Sequence, residues 1–213
     1  MDADEVWRTI DSERSDLADT MESFTERDWE TPSLCEGWRV RDVAAHLTLA
    51  TMSTLPGLVA FARSGLSFNR MIHDTGVRQA ELPVEEFPAR LRAMIGSRKK
   101  APTVSMIEPM LDVLVHGQDI TVPLGRSREM PREAAAVAAQ RAYTMSWPFH
   151  VRRRLHGFTL AATDHTWSIG DGPVVEAPVQ ALLMLVTGRD VVLPELSGPG
   201  ADPLRERLAG VRT

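Results

Sequence analysis

The chain has 213 residues, of which 43% are apolar, with a formal net charge of −5 and a pI near 5.7. Length and composition predict a globular protein, and the scattered basic residues argue against a nucleic-acid partner. The acidic, polar N-terminus is unlike a secretory signal, and no apolar run approaches the roughly 20 residues of a membrane span. We therefore expect a cytoplasmic protein with no membrane partner.

The first part of the chain has the pattern of a helical protein. Apolar residues at three- and four-residue steps predict amphipathic helices, and prolines and glycines mark their ends. The second predicted helix is long and mostly apolar, with a kink at Pro56. An irregular loop is expected over residues 64–84. In chain order, the helices are predicted over residues 3–27, 40–63, 85–100, 103–120 and 131–147.

After residue 155 the pattern changes. GFTLAATD and TWSIGDG are typical of short strands, and the glycines at 170 and 172 indicate a turn. VQALLMLVTGRD predicts a helix, VVLPEL a short strand and DPLRERLAG a last helix. The sequence therefore predicts an α+β protein, with a helical domain over residues 1–152 and a small α+β domain over 153–213 that packs against it.

Cys35 is the single cysteine of the chain. It excludes an internal disulfide and a cysteine-rich zinc site, so a metal ion would have to be held by histidine and carboxylate. Two interpretations of Cys35 itself stay open. It lies just ahead of a helix start and could act as a nucleophile or a fourth ligand, or it could be a small buried side chain beside Trp38.

The stretch DVLVHGQD contains the candidate ligands. Asp112 and His116 are four residues apart, so on a helix they project side by side, roughly 6 Å apart at Cβ. A carboxylate and an imidazole at this spacing can share one ion, and His46 from the second helix could supply a third ligand. Two histidines and one carboxylate leave an open position, as in catalytic sites, and Asp119 could accept an imidazole N–H. Alternatively, Asp112 and His116 form a local ion pair, and His46 is structural.

Two blocks of sequence carry a resemblance to a known family. TPSLCEGWRVRDVAAHL and DVLVHGQDITVPLG resemble the mycothiol-dependent maleylpyruvate isomerase family, which is part of the DinB-like superfamily of metal-binding helical bundles. The segment AATDHTWSIGDGPVV, with the residues that follow it, resembles the small second domain of that family, which is similar to sterol-carrier proteins. The resemblance thus implies a DinB-like four-helix bundle followed by a sterol-carrier-like domain.

The resemblance also implies a ligand set. The family's histidine from the second helix and its Glu-x-x-x-His pair fall on His46, Asp112 and His116. Asp112 is a departure, because the family usually has Glu, and the shorter side chain would have to reach the ion. Arg39 is another, because family members often carry Thr or Ser there as a helix cap. Loss of that cap would cost about 1 kcal/mol unless Glu36 or another neighbour compensates.

Family members of known activity use zinc and the thiol mycothiol, with zinc stabilising the thiolate that attacks an electrophilic carbon. The resemblance implies a zinc (or other divalent metal) enzyme that uses mycothiol on a small electrophile, as an isomerase or an S-transferase. Asp119 and Arg189 are the candidate catalytic residues and Arg78 the candidate cofactor-binding residue. The alternatives are a non-catalytic relative that binds a small ligand or a partner, and metal-assisted hydrolysis with Asp119 as base. Nothing in the pattern demands more than a monomer.

Overall fold

The structure, a computed structural model, describes residues 1–49, 78–100, 104–145 and 151–210, and of residues 152 and 153 only the backbone. The chain divides into two compact units, Asp2–Arg128 and Glu129–Thr213, the second of which also includes Met1. This division falls 24 residues before the predicted domain boundary at 152. The predicted boundary itself stays a prediction.

The first unit is helical throughout its described part. Helices form within the stretches predicted over residues 3–27, 85–100 and 103–120. The first of these stretches breaks at Met21, and the helix predicted to residue 100 ends at Ala93. The second predicted helix beyond residue 49 and most of the predicted loop lie outside the described residues. A 3-10 turn at Val122–Leu124 follows the last helix. The helices are α1 (Ala3–Met21), α2 (Glu26–Glu30), α3 (Val40–Leu47), α4 (Glu86–Ala93) and α5 (Ile107–Thr121).

Helix α1 shows why this sequence folds as predicted. Asp2 and Glu5 form a capping box, each side chain accepting the backbone N–H of the other residue. One stripe of the helix, including Ile10 and Leu17, is fully buried against α4 and α5. The core continues through Trp29, whose ring lies 5.7 Å from that of Phe87, to the buried face of α3. This packing holds α3 and α5 next to each other.

A buried ion pair joins α1 to the segment after α5. Arg128 Nη2 lies 2.5 Å from Glu13 Oε2 and also donates to the Glu13 carbonyl, and both side chains are almost fully buried. The guanidinium passes over Gly117, where an added Cβ would lie 3.0 Å from Arg128 Nε. The Arg128 carbonyl in turn accepts from Gln118. Gly117 therefore leaves the space through which Arg128 reaches α1.

The second unit combines helices with a small sheet. Helix α6 presents five fully buried alanines, and it packs against α8. In the sheet, of order β2-β1-β3, β1 pairs antiparallel with β2 and parallel with β3. The elements are α6 (Arg132–Thr144), α7 (Val151–Leu155), β1 (Thr159–Ala162), β2 (Ser168–Gly170), β3 (Val174–Ala177), α8 (Val179–Val186), a 3-10 segment (Asp190–Glu195) and α9 (Ala201–Gly210).

The predicted α+β class is confirmed, with corrections in detail. VVLPEL was expected to form a strand and instead lies in the 3-10 segment, where Pro194 has no N–H to donate to a neighbouring strand. Strand β3 was not predicted from the sequence. Gly170, the last residue of β2, and Gly172, in the turn to β3, have φ of 103° and 113°, and a Cβ at either would collide with a backbone carbonyl. The four-helix bundle and the sterol-carrier likeness stay predictions.

None of the helices among the described residues is long and apolar enough to cross a membrane.

Replacement of Arg128 by alanine tests the buried ion pair. Burial raises the pKa of Glu13, and the charge and hydrogen bond of Arg128 offset only part of this effect. We expect Arg128→Ala to lower the free energy of unfolding by about 3–5 kcal/mol, because a buried carboxylate loses its partner. Since the pKa of Glu13 in the folded state lies above its unfolded value of 4.5, the folded state binds the proton more tightly. Without Arg128 the pKa of Glu13 should rise further, so the loss should be small while Glu13 is protonated and should grow as the pH rises through its folded-state pKa.

Urea unfolding at several pH values measures this prediction. Arg90→Ala is the matched control, because Arg90 forms an exposed pair with Glu86 four residues away, and such pairs contribute only about 0.3–0.5 kcal/mol. Equal losses in the two variants, or a loss in Arg128→Ala that does not vary with pH, would contradict the account.

Candidate metal centre

Helix α3 carries His46, and its first turn is held by a substitute cap. The Arg39 backbone N–H donates to Asp42 Oδ2 at 2.8 Å, and the Arg39 guanidinium donates to both Asp42 carboxylate oxygens. Glu30 accepts further hydrogen bonds from Arg39 and Arg41. Asp42, and not Glu36, thus stabilises the first turn by accepting from Arg39, although no side chain accepts a helix N–H in place of the missing Thr or Ser.

The loop before α3 is fixed by hydrogen bonds. Cys35 N–H donates to Ser33 Oγ at 3.1 Å, and Trp38 N–H donates to the Cys35 carbonyl at 3.0 Å. The Leu34 N–H donates to the main-chain carbonyl of Asp119 at 3.2 Å, which ties the loop to α5. This loop therefore holds Cys35 beside the end of α5.

Helix α5 brings Asp112 and His116 to one place, as their spacing predicts. His116 Nε2 lies 3.4 Å from Asp112 Oδ1, and His46 Nε2 of α3 lies 3.5 Å from the same oxygen. The two imidazole rings are 5.0 Å apart and nearly perpendicular. Trp38 packs 5.5 Å from the ring of His46. The carboxylate oxygen thus lies between two imidazole nitrogens from different helices.

The geometry fits a divalent metal ion. The candidate ligand atoms of His46, Asp112 and His116 all lie within 4.8 Å of one another. In a tetrahedral zinc site with bonds of 2.0–2.1 Å, neighbouring ligand atoms are about 3.3 Å apart, close to both nitrogen–oxygen distances. The side chains are 17–29% exposed, so an ion and a further ligand can reach them from solvent. Two imidazoles and a carboxylate are also a donor set that zinc accepts.

The electrostatics of the three groups favour a cation between them. Burial alone would raise the pKa of Asp112, but the charges of His46, His116 and Arg14 outweigh burial and lower it. Burial alone would lower the pKa of His46, but Asp112 reverses the direction and raises it. The site thus stabilises a negative Asp112 and a positive charge beside it.

The second nitrogen of His116 faces another carboxylate. His116 Nδ1 lies 2.8 Å from Asp119 Oδ2, and the Asp119 side chain is fully buried. A carboxylate only accepts hydrogen bonds, so this contact places the imidazole proton on Nδ1 and leaves Nε2 as the lone-pair nitrogen. Asp119 therefore lies where the sequence analysis expected an acceptor for an imidazole N–H.

Cys35 also lies in this cluster. Its thiol donates to Asp119 Oδ2 at 3.1 Å, and its sulfur is 3.7 Å from His116 Nδ1. The thiol is partly exposed. Cys35 thus contacts the residues behind the candidate ligands, although it also packs against the apolar core. Spacing along the chain gave no signal for this contact, since it depends on the hydrogen bond between the loop and α5.

The two candidate arginines lie on other parts of the chain than the helices and loop that carry this cluster. Arg78 is exposed at the start of a described segment, where its carbonyl accepts from Glu81. Arg189 is in the second unit and donates to the Thr187 carbonyl at 2.7 Å. Their roles in cofactor binding and catalysis stay predictions.

Residues 10–103 match the family model of the mycothiol maleylpyruvate isomerase N-terminal domain. This part of the chain therefore resembles the N-terminal domain of that family. The matched segment includes Cys35 and His46, whereas Asp112, His116 and Asp119 lie beyond it. The match thus covers the segment that carries Cys35 and His46, whereas the placement of Asp112, His116 and Asp119 rests on the geometry of α5.

Two solved structures share the fold of this chain. One is a mycothiol-dependent maleylpyruvate isomerase, with 15% sequence identity and a TM-score of 0.63 over 89% of this chain and 90% of that chain. The other is a histidine-to-alanine mutant of a mycothiol-dependent maleylpyruvate isomerase, with 14% identity and a TM-score of 0.64 over 94% of each chain. No curated protein sequence matches the chain. At these identities the likeness establishes the fold.

Replacement of Asp119 by asparagine tests the orientation of His116. An amide can donate to Nδ1 and so place the imidazole proton on Nε2, which removes the lone pair that a metal ion needs. We expect Asp119→Asn to weaken zinc affinity about 10–100-fold, measured by competition with a chromophoric chelator. Asp190→Asn, the same change in the second unit, should leave the affinity unaltered. An unchanged affinity in Asp119→Asn would show that Asp119 does not orient the ligand.

Proposed function

We propose that this protein is a zinc-dependent enzyme that uses mycothiol, as an isomerase or S-transferase acting on a small electrophile. The observation that carries the proposal is the meeting of His46 Nε2, Asp112 Oδ1 and His116 Nε2 in a chain that resembles the mycothiol maleylpyruvate isomerase family. The two solved structures with the same fold are described as mycothiol-dependent enzymes. Zinc, mycothiol and the reaction are parts of the proposal.

Each ligand has a defined part in holding the ion. His46 and His116 would offer their Nε2 lone pairs from different helices, and Asp112 would supply the single negative charge. Zinc in this position would lower the pKa of a bound thiol, so that the thiol is a thiolate at neutral pH. With three protein ligands, one position of a tetrahedral site is left for that thiol.

The remaining residues would orient the ligands and limit water. Asp119 holds the proton of His116 on Nδ1, and the Trp38 ring covers one side of His46. The electrophile would need a cationic partner if it carries carboxylates, as maleylpyruvate does. We propose Arg78 and Arg189 for that role, because a guanidinium can pair with a carboxylate. Of the two, Arg78 is closer in sequence to α3, the helix that carries His46.

Asp112 decides between an active enzyme and a non-catalytic relative. The family usually has the longer Glu at this position, so a short carboxylate could leave the site incomplete. In this structure Oδ1 lies within 3.5 Å of both imidazole nitrogens, so the aspartate reaches the position that a ligand must occupy. This distance favours the enzyme over the relaxed site.

Metal binding by single variants tests the ligand set. We expect the wild type to bind about one zinc ion per chain, because three donors converge on one point. His46→Ala and His116→Ala should lose this ion, as measured by elemental analysis after dialysis against a weak chelator. His165→Ala is the control, because His165 pairs with Glu133 in the second unit. Wild-type protein that stays free of zinc at excess metal would refute the proposed site.

Turnover with and without the thiol tests the chemistry. Zinc-loaded protein should convert maleylpyruvate or another small conjugated electrophile only when mycothiol is present, and His116→Ala should lose at least about 100-fold in kcat/KM. Isomerised product indicates an isomerase, and a stable thioether indicates an S-transferase. Zinc binding without turnover over a broad panel would favour the non-catalytic relative. Turnover that persists in His46→Ala would remove the metal from the mechanism.

A further inference from the structure

We propose that His116 serves a second metal position, formed by Cys35 Sγ, His116 Nδ1 and Asp119 Oδ2, which takes a single thiophilic divalent ion of the cadmium type. The ligand atoms of these three residues lie within 4.8 Å of one another, as they do in the first position. The two positions lie at opposite nitrogens of one imidazole ring. This inference does not depend on the proposed enzymatic function.

The distances agree with a site that an ion can enter after a small adjustment. The sulfur lies 3.7 Å from Nδ1 and 3.1 Å from Oδ2, and Nδ1 lies 2.8 Å from Oδ2. For a zinc-sized ion with bonds of about 2.3 Å to sulfur and 2.0–2.1 Å to nitrogen and oxygen, the corresponding separations are about 3.5 Å and 3.3 Å. The nitrogen and oxygen atoms would therefore move apart by about half an ångström for a zinc-sized ion, and by more for the larger cadmium ion.

The surroundings hold the three ligands in place. The hydrogen bond from Leu34 to the Asp119 carbonyl anchors the loop of Cys35 to α5, and the Cys35 backbone is bound on both sides by Ser33 and Trp38. Asp119 is fully buried, whereas Cys35 and His116 are partly exposed, so an ion can approach from the thiol side. The donor set of thiolate, imidazole and carboxylate favours a softer ion than the first position, which contains no sulfur.

The protons balance as follows. When the ion binds, the Cys35 thiol loses its proton to solvent, because a coordinated thiol is deprotonated. The His116 proton passes from Nδ1 to Nε2, where Asp112 Oδ1 lies 3.4 Å away as an acceptor. One proton is released for each ion bound, and no electron is transferred. With its proton on Nε2, His116 has no lone pair for the first position, so an ion in the second position prevents binding in the first.

The single cysteine provides a direct spectroscopic test. In the variant His46→Gln with Asp112→Asn, the first position loses two of its three ligands while side-chain size is nearly kept. Cadmium added to this variant should produce thiolate-to-metal charge-transfer absorbance that saturates at one ion per chain. Every such band reports Cys35, because the chain contains no other thiol. Introducing Cys35→Ser into this double variant should remove the charge-transfer absorbance.

A folded double variant without this absorbance at stoichiometric cadmium would overturn the inference, with circular dichroism as the check on folding. Should the variant fail to fold, the single variant Asp112→Asn gives an independent result, because it removes the carboxylate of the first position and leaves Cys35, His116 and Asp119 in place. Cadmium should slow the reaction of Cys35 with an aromatic disulfide reagent, whereas magnesium should not. A reaction rate unaffected by saturating cadmium would equally overturn the inference. The proposed function is tested by zinc loss in His46→Ala, whereas the second position is tested by cadmium binding to Cys35. Failure of one proposal is therefore distinguishable from failure of the other.

Discussion

The candidate site depends on the packing of α3 against α5. This contact places His46 of α3 beside Asp112 and His116 of α5. His46 and His116 approach the same oxygen of Asp112, at 3.5 and 3.4 Å. Neither helix alone presents more than two candidate ligands to this point. The apolar core beneath α3 therefore determines whether the chain can hold an ion, since loss of packing there would separate the three donors.

His116 contacts both carboxylates of the candidate site. One of its nitrogens faces Asp112 and the other faces Asp119, so the location of a single proton determines which nitrogen can bind a metal ion. The next residue, Gly117, makes room for Arg128 and its buried pair with Glu13. The motif His-Gly-Gln-Asp thus places its first and last residues in the candidate metal site, while its middle two residues contact Arg128.

The sequence allowed part of this arrangement to be predicted. The pairing of Asp112 with His116 follows from helical periodicity, and Asp119 follows one turn later, so these contacts are local. His46 could be proposed as the third ligand, but only tertiary packing and the family resemblance could place it. The position of Cys35 depends on a hydrogen bond between a loop and a distant helix, which no local pattern indicates. VVLPEL was misassigned because its β-branched and apolar residues suit a strand, whereas Pro194 and the following turn favour a 3-10 segment.

The central claim is that zinc binds between His46, Asp112 and His116. The most direct measurement is an anomalous difference map, collected at the zinc absorption edge from crystals of the zinc-loaded protein. The account predicts one peak per chain, about 2.0–2.2 Å from His46 Nε2, Asp112 Oδ1 and His116 Nε2. A zinc peak ligated by Cys35 and Asp119 instead, or zinc held by the histidines without Asp112, would contradict it.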